Sequence, residues 1–327
     1  MRSTRLAAIS LAIAGTLIAG GVLTNRVAAA REAQVEEMHP PAGQFVDVDG
    51  VRIHAVVEGS GPNLVLIHGA HGSARDFTFD FVERLSDRYR VIVFDRPGLG
   101  WSGRTDPAYA GAFARSAESP HEQARVLSRA AALLGADRPI VVGHSYGGIV
   151  ALAWALDFDP AAVVSFAGVA LPWPGDLGWI YTVNGTALGG ALVPPVITAY
   201  ASETRLRQAV EATFDPQSPP EGYADHIGPR MPVRRDVFRA NARQVNSLRP
   251  HVVEMAKRYG ALSLPVEILH GTRDETVPIP IHSGPVSKMI PGSNFVTLEG
   301  VGHMPHHADP TAAVAAIDRA AARAGLR

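Results

Sequence analysis

The chain has 327 residues, 46% hydrophobic and 19% charged, and its 30 Lys and Arg against 31 Asp and Glu leave a net charge of −1. This is globular composition with ample apolar material for a buried core. Near-neutrality without a Lys/Arg run argues against nucleic acid as a partner, and the lack of cysteine excludes disulfides, thiolate metal sites and a cysteine nucleophile.

Arg2 and Arg5 precede an uncharged stretch from Leu6 to Leu23. As a helix those residues would extend about 27 Å, just enough for a hydrocarbon core of roughly 30 Å. Length and the positive flank predict a membrane anchor with the domain that follows it outside the cytoplasm. Ala28-Ala29-Ala30 offers the alternative of signal cleavage, leaving a secreted or periplasmic protein. Residues 1–30 are read as this targeting segment and 31–44 as a linker.

Beyond Pro40-Pro41, Phe45 to Val48 and Val51 to Glu58 read as a hairpin turned at Asp49-Gly50. Asn63 to Ile67 is a continuous apolar run of the kind buried on both faces of a parallel sheet, and it ends in His68-Gly69-Ala70-His71-Gly72. A helix over Phe77 to Ser86 and a strand over Tyr89 to Phe94 follow, the strand ending at Asp95-Arg96-Pro97-Gly98. In His121 to Leu134 the residues Ala124, Leu127, Ala130, Ala131 and Leu134 share a helical face. A strand at Ile140 to Val142 then enters Gly143-His144-Ser145-Tyr146-Gly147, a buried helix leaves it, and Ala161 to Ala170 reads as the next strand.

Strands alternating with helices predict an α/β fold with a mostly parallel sheet and helices on both faces. The alternation lapses from 171 to 260, a segment rich in proline and aromatics without a convincing strand, which predicts an inserted cap; the core is 45–170 and 261–327. Within the insertion Arg234-Arg235 reads as solvated surface. Alternation resumes with a strand at Leu264 to His270, a helix near Ile281 to Met289, a strand at Asn294 to Glu299 and a last helix capped by Asp309 with Pro310 following.

Functional groups on such a sheet gather beyond the carboxyl ends of the strands. Ser145, Asp274, His303 and the His68-Gly69-Ala70 loop all fall there. A glycine-flanked serine between strand and helix fits the G-x-S-x-G nucleophile elbow, where a Cβ at 143 or 147 would collide with the backbone. A serine hydroxyl needs a base, an imidazole of free pKa about 6.5 suits, and a carboxylate beyond the ring fixes the tautomer. The order Ser145, Asp274, His303 matches that chemistry on this topology, and the N–H groups of Ala70 and Tyr146 are the candidate oxyanion donors.

Asp176 is the rival acid, and Glu275 reads as solvated. His303, His306 and His307 invite reading as a metal cluster, but no carboxylate or further histidine stands at familiar ligand spacing, so neither metal nor organic cofactor is expected. His68 reads as loop packing, His71 as a loop histidine or pocket lining, and Asp95 and Arg96 as organisers of their turn. Trp173, Trp179, Tyr181, Leu188, Leu192, Val193 and Ile197 are candidates for an acyl pocket or for the join between cap and sheet.

Taken together, His68-Gly69, Asp95-Arg96-Pro97-Gly98-Leu99-Gly100-Trp101-Ser102, the 143–147 elbow, Gly271 to Asp274 with Val277-Pro278, and Gly302-His303 resemble the α/β-hydrolase superfamily from about Val51 to Arg323. The resemblance implies a serine hydrolase with Ser145, Asp274 and His303 as triad and Ala70 and Tyr146 at the oxyanion hole. A small, fairly apolar ester is the expected substrate, with the membrane contacted through the N-terminal segment. A serine at 145 excludes dehalogenase and epoxide-hydrolase chemistry of this fold, which needs a carboxylate nucleophile. Perhydrolase, C–C hydrolase, amidase and acyltransferase chemistries share the triad and stay open, as does a non-catalytic ligand receptor.

Overall fold

The computed structural model describes residues 2–327. Eight strands form one sheet in the order β1-β2-β4-β3-β5-β6-β7-β8. They are β1 (Gln44–Val48), β2 (Val51–Glu58), β3 (Asn63–Ile67), β4 (Arg90–Phe94), β5 (Ile140–His144), β6 (Ala162–Phe166), β7 (Val266–Gly271) and β8 (Asn294–Leu298). β1 and β2 form the hairpin, β2 runs antiparallel to β4, and every later pairing is parallel. Continuous apolar strands make this possible. Val65, Ile67 and Val141 supply the core on one face, and Leu64, Leu66, Ile140 and Val142 that on the other.

The helices in chain order are α1 (Arg2–Met38), α2 (Arg75–Thr78), α3 (Pro120–Leu133), α4 (Tyr146–Asp157), α5 (Trp179–Asn184), α6 (Ala187–Tyr200), α7 (Glu203–Ala212), α8 (Tyr223–Ile227), α9 (Arg235–Asn246), α10 (Leu248–Ala256), α11 (Ser283–Met289), α12 (Pro305–Ala308) and α13 (Pro310–Arg323). α3 and α4 cover one face with Leu127, Ile149 and Trp154, and α13 covers the other with Ala313, Ile317 and Ala320. Asp309 caps α13, its Oδ1 accepting the Ala312 N–H at 2.9 Å. Residues 171–260 are helical and contain no strand.

Four local expectations change. The helix expected over Phe77 to Ser86 is only the four residues of α2, then turns. Phe77, Phe81, Val82 and Leu85 are all buried, and both Phe81 and Val82 donate to the Phe77 carbonyl, so burial of two adjacent side chains breaks the regular ladder. β6 ends at Phe166 rather than Ala170, because Ala167 turns to φ 46°.

The linker expected at 31–44 is helix as far as Met38, and α1 is docked. Ala28 and Val35 are buried, Glu32 makes a two-pronged ion pair with Arg235 at 2.6 to 3.1 Å, and Glu36 accepts from Arg234 at 2.9 Å. The Arg234-Arg235 pair is therefore not solvated surface. Arg234 is 7% exposed, lies over the Trp101 ring at 4.8 Å and donates to the Gly100 carbonyl. Among the described residues one helix, α1, is long and apolar enough to cross a membrane by length and composition.

Candidate active site

β5 delivers the chain into the tightest turn of the fold. Ser145, which opens α4, has φ 53° and ψ −117°, a conformation that costs a non-glycine residue of order 1–3 kcal/mol. Packing holds it there. Its N–H donates to Phe166 O at 3.0 Å, and its carbonyl accepts from Gly148 and Val169, each at 3.0 Å. A Cβ on Gly143 would lie 2.1 Å from the Gly147 carbonyl oxygen, and one on Gly147 would lie 2.1 Å from that of Ile67. Only glycine lets the elbow sit this close to β3.

The loop after β3 crosses the elbow: a Cβ on Gly69 would meet the Ser145 Cβ at 3.0 Å. This sets Ala70 beside the N-terminus of α4, and the Ala70 and Tyr146 N–H groups donate to no protein acceptor among the described residues. Arg96 braces the loop from beneath. It is fully buried, donates to Gly69 O at 3.2 Å and to Gln123 and Gln244 at 2.9 Å each, and lies 4.1 Å over the Tyr146 ring. Its pKa falls to about 10 because burial opposes the charge. The neighbouring Asp95 accepts from Ala74 N, Trp101 N and His54 Nδ1, so both residues organise the turn.

At the ends of β7 and β8, His303 Nδ1 donates to Asp274 Oδ2 at 2.7 Å. Asp274 is buried, and burial by itself would raise its pKa. Hydrogen bonds from His270 and His303, the charge of His303 and the Val277 N–H outweigh that and hold the carboxylate well below its usual range. Its Oδ1 takes the Thr276 and Val277 amides at 2.8 and 2.9 Å. Asp176 is exposed, and the carboxylate that accepts from His303 is that of Asp274.

Two histidines essential to this geometry escaped the sequence reading. His270 Nε2 donates to Asp274 Oδ2 at 2.9 Å while its Nδ1 accepts from Ser283 Oγ at 2.6 Å, so Asp274 is gripped from both sides. His144, immediately before Ser145, donates through Nε2 to the His303 carbonyl at 2.9 Å, its ring 4.9 Å from that of His303. Burial, and then the neighbouring His306 and His303, hold it well below the usual imidazole range and therefore neutral. His144 thus ties the end of β5 to the loop carrying His303. Its position inside the elbow motif was the available signal.

His68 is a packing residue. Its Nε2 accepts the Arg96 N–H at 2.9 Å, which leaves Nδ1 to donate to Gly69 O at 2.8 Å, and burial followed by the Arg96 charge lowers its pKa to about 4. His71 packs against Tyr181 and Phe238, with ring centroids 5.9 and 5.7 Å away. Trp179, Leu188 and Leu192 are 67–68% exposed and so do not join residues 171–260 to the sheet. An indentation of about 810 Å³ beside Arg138, Asp157 and Lys257 opens at the amino ends of β5 to β7, the end of a parallel sheet that carries no chemistry.

His306 and His307 turn away from His303 toward Asp76, a carboxylate that sequence spacing could not associate with them. His307 Nε2 donates to Asp76 Oδ1 at 2.9 Å, and His306 Nε2 is 3.4 Å from Oδ2. Asp76, His306 and His307 are the one set, among the described residues, whose possible metal-ligand atoms converge, all within 4.8 Å. Burial would lower the His307 pKa, but the hydrogen bond to Asp76 and the charges of Asp76 and of Asp80, whose Oδ1 is 3.6 Å from Nδ1, prevail and push it up to about 9.

A pKa raised on folding contributes stability that is complete below the unfolded value of about 6.5 and is lost as pH rises through about 9. His307→Gln, which keeps a donor but no titrating proton, should therefore lie below the parent in melting temperature at pH 6 and converge with it by pH 10. Parallel melting curves across that range would remove the ion pair from the account.

Comparison with known proteins agrees with this architecture. An uncharacterised protein from Mycobacterium tuberculosis (strain ATCC 25618 / H37Rv) is 29% identical over 297 residues, which is 87% of this chain and 82% of that one. Among solved structures, a bacterial membrane phospholipase A superposes with TM-score 0.65 at 22% identity, covering 97% of this chain and 99% of the other. A putative aryl esterase from Burkholderia cenocepacia superposes with TM-score 0.68 at 21% identity, covering 87% and 99%. The profile of the Alpha/beta hydrolase family matches residues 64–317, most of the chain, and the protein is a hydrolase belonging to that family.

Proposed function

We propose that this hydrolase is a serine hydrolase acting on carboxylic esters through an acyl-enzyme at Ser145, with residues 171–260 as a cap. The observation that carries this is a strained serine at the end of β5 whose chain neighbour His144 lies with its ring 4.9 Å from that of His303, an imidazole whose Nδ1 is held by Asp274 at 2.7 Å. Ser145 Oγ attacks the ester carbonyl while His303 Nε2 takes its proton, and Asp274 stabilises the imidazolium. The Ala70 and Tyr146 amides receive the oxyanion, His303 returns the proton to the departing alcohol, and water activated by the same imidazole frees the acid. The names of the phospholipase and esterase neighbours support ester chemistry.

α1 acts as an uncleaved anchor with the catalytic domain outside the cytoplasm. Support comes from the buried Ala28 and from the contacts of Thr24 with Tyr200 and of Asn25 with Arg235, which cleavage near Ala28-Ala29-Ala30 would remove. The test treats purified protein with a fluorophosphonate probe, maps the adduct by mass spectrometry, and measures turnover of short-chain and medium-chain p-nitrophenyl esters. Labelling at Ser145 together with ester turnover is expected. A probe-inert protein that still binds small ligands would establish a receptor instead, and labelling without ester turnover would move the chemistry to amides or C–C bonds.

A further inference from the structure

Most of the cap is polar outside, but one face is not. On α6, Leu188, Leu192, Val196 and Tyr200 recur every four residues and are 68, 67, 50 and 57% exposed. Trp179 on α5 adds another large apolar side chain at 68% exposure. No charged residue occurs anywhere from Trp179 to Tyr200. A contiguous apolar surface of this kind on a soluble domain marks an interaction site.

The position of this face relative to α1 identifies its partner. α1 packs along α6, and Thr24 Oγ1 lies 3.2 Å from Tyr200 Oη. Thr24 is the first residue after the apolar stretch that ends at Leu23, and the stretch itself is exposed, with Leu11 at 75% and Leu17 at 71%. If that stretch spans the hydrocarbon, Thr24 marks the headgroup level and carries Tyr200 to the same depth. Tyrosine and tryptophan favour that level, where an apolar ring and a polar edge are both accommodated.

We propose that the α5–α6 face is a membrane-seating surface, continuous with α1, whose occupant is the outer leaflet of the bilayer into which α1 inserts. The cap itself, and not only the anchor, rests in lipid. α5 is then the thin wall between bilayer and active site: Trp179 points outward, while Tyr181, two residues on, packs over His71 next to the Ala70 loop. An amphiphile drawn from the leaflet reaches Ser145 past α5 without first entering water. This rests on the reading of α1 as an anchor but not on the ester chemistry.

The absence of cysteine makes the test direct. Leu188→Cys and Leu192→Cys, both at exposed positions, and Glu254→Cys on α10 as reference are made in the full chain and labelled with the environment-sensitive dye NBD. Each is reconstituted into vesicles of phosphatidylcholine and phosphatidylglycerol, 3:1, and floated. The labels at 188 and 192 should brighten severalfold, resist aqueous iodide and be quenched by lipid carrying a nitroxide high on its acyl chain, while the label at 254 should do the reverse.

Protein that floats with labels at 188 and 192 as open to iodide as that at 254 overturns the surface and leaves the anchor standing. Labels shielded from both quenchers, with unlabelled Leu188→Cys forming a disulfide-linked dimer, would assign the face to a second copy and overturn it as well. Protein that fails to float removes the anchor and this surface together. None of these signals depends on turnover, so they are independent of the proposed chemistry.

Discussion

Ser145→Ala should lower kcat on p-nitrophenyl esters by on the order of 10^5-fold or more while leaving the fold intact, because the oxyanion donors survive but the nucleophile does not. A loss of that size is about 7 kcal/mol of barrier. Alanine keeps the Cβ and hence the strain at φ 53°, so the melting temperature should change little. Ser145→Gly, equally inactive, should melt higher by the equivalent of about 1 kcal/mol, since glycine occupies positive φ without penalty. Calorimetry alongside single-turnover kinetics separates the two effects. Activity within tenfold of the parent in either variant would place the nucleophile elsewhere.

Asp274→Asn should cost about 10^4-fold in kcat with KM nearly unchanged, an effect of tautomer rather than of packing. Four donors converge on this side chain: His303 Nδ1 and His270 Nε2 on Oδ2, and the Thr276 and Val277 amides on Oδ1. An asparagine has one acceptor oxygen, and the two fixed backbone amides claim it. Its NH2 then faces His303 and forces Nδ1 to become the acceptor. That puts the proton on Nε2, where the imidazole cannot receive another from Ser145. His270→Gln, which touches Asp274 but not the imidazole, should lower kcat less than about tenfold. Comparable losses in the two variants, or a defect confined to KM, would show that Asp274 does not orient the base.

Much of the framework could be read from local pattern. Continuous apolar runs mark Asn63 to Ile67 and Ile140 to Val142 as strands buried on both faces, and glycines at 143 and 147 mark a turn in which a Cβ would sit 2.1 Å from a carbonyl oxygen. These are short-range constraints, written in residues that touch their own neighbours along the chain. Ser145, Asp274 and His303 could be proposed from the sequence for a related reason: a parallel sheet collects chemistry at one set of strand ends, so chain order limits which residues can meet there.

What escaped the sequence depends on side chains that meet from distant segments. His144 and His270 are unremarkable in their own strands, and their roles exist only because the His303 carbonyl and the Asp274 carboxylate arrive beside them. Arg234 and Arg235 looked like solvent-facing charge until α1 brought Glu36 and Glu32 to them, and His306 and His307 had no carboxylate until Asp76 came from the other end of the domain. By itself the sequence determined the sheet and the glycine-flanked turn at Ser145, since backbone sterics and apolar periodicity act locally. Tertiary structure alone decided which charges are paired, which histidines are held neutral and which face of the cap is left apolar, because a charge is read through its partner and exposure through what packs against it.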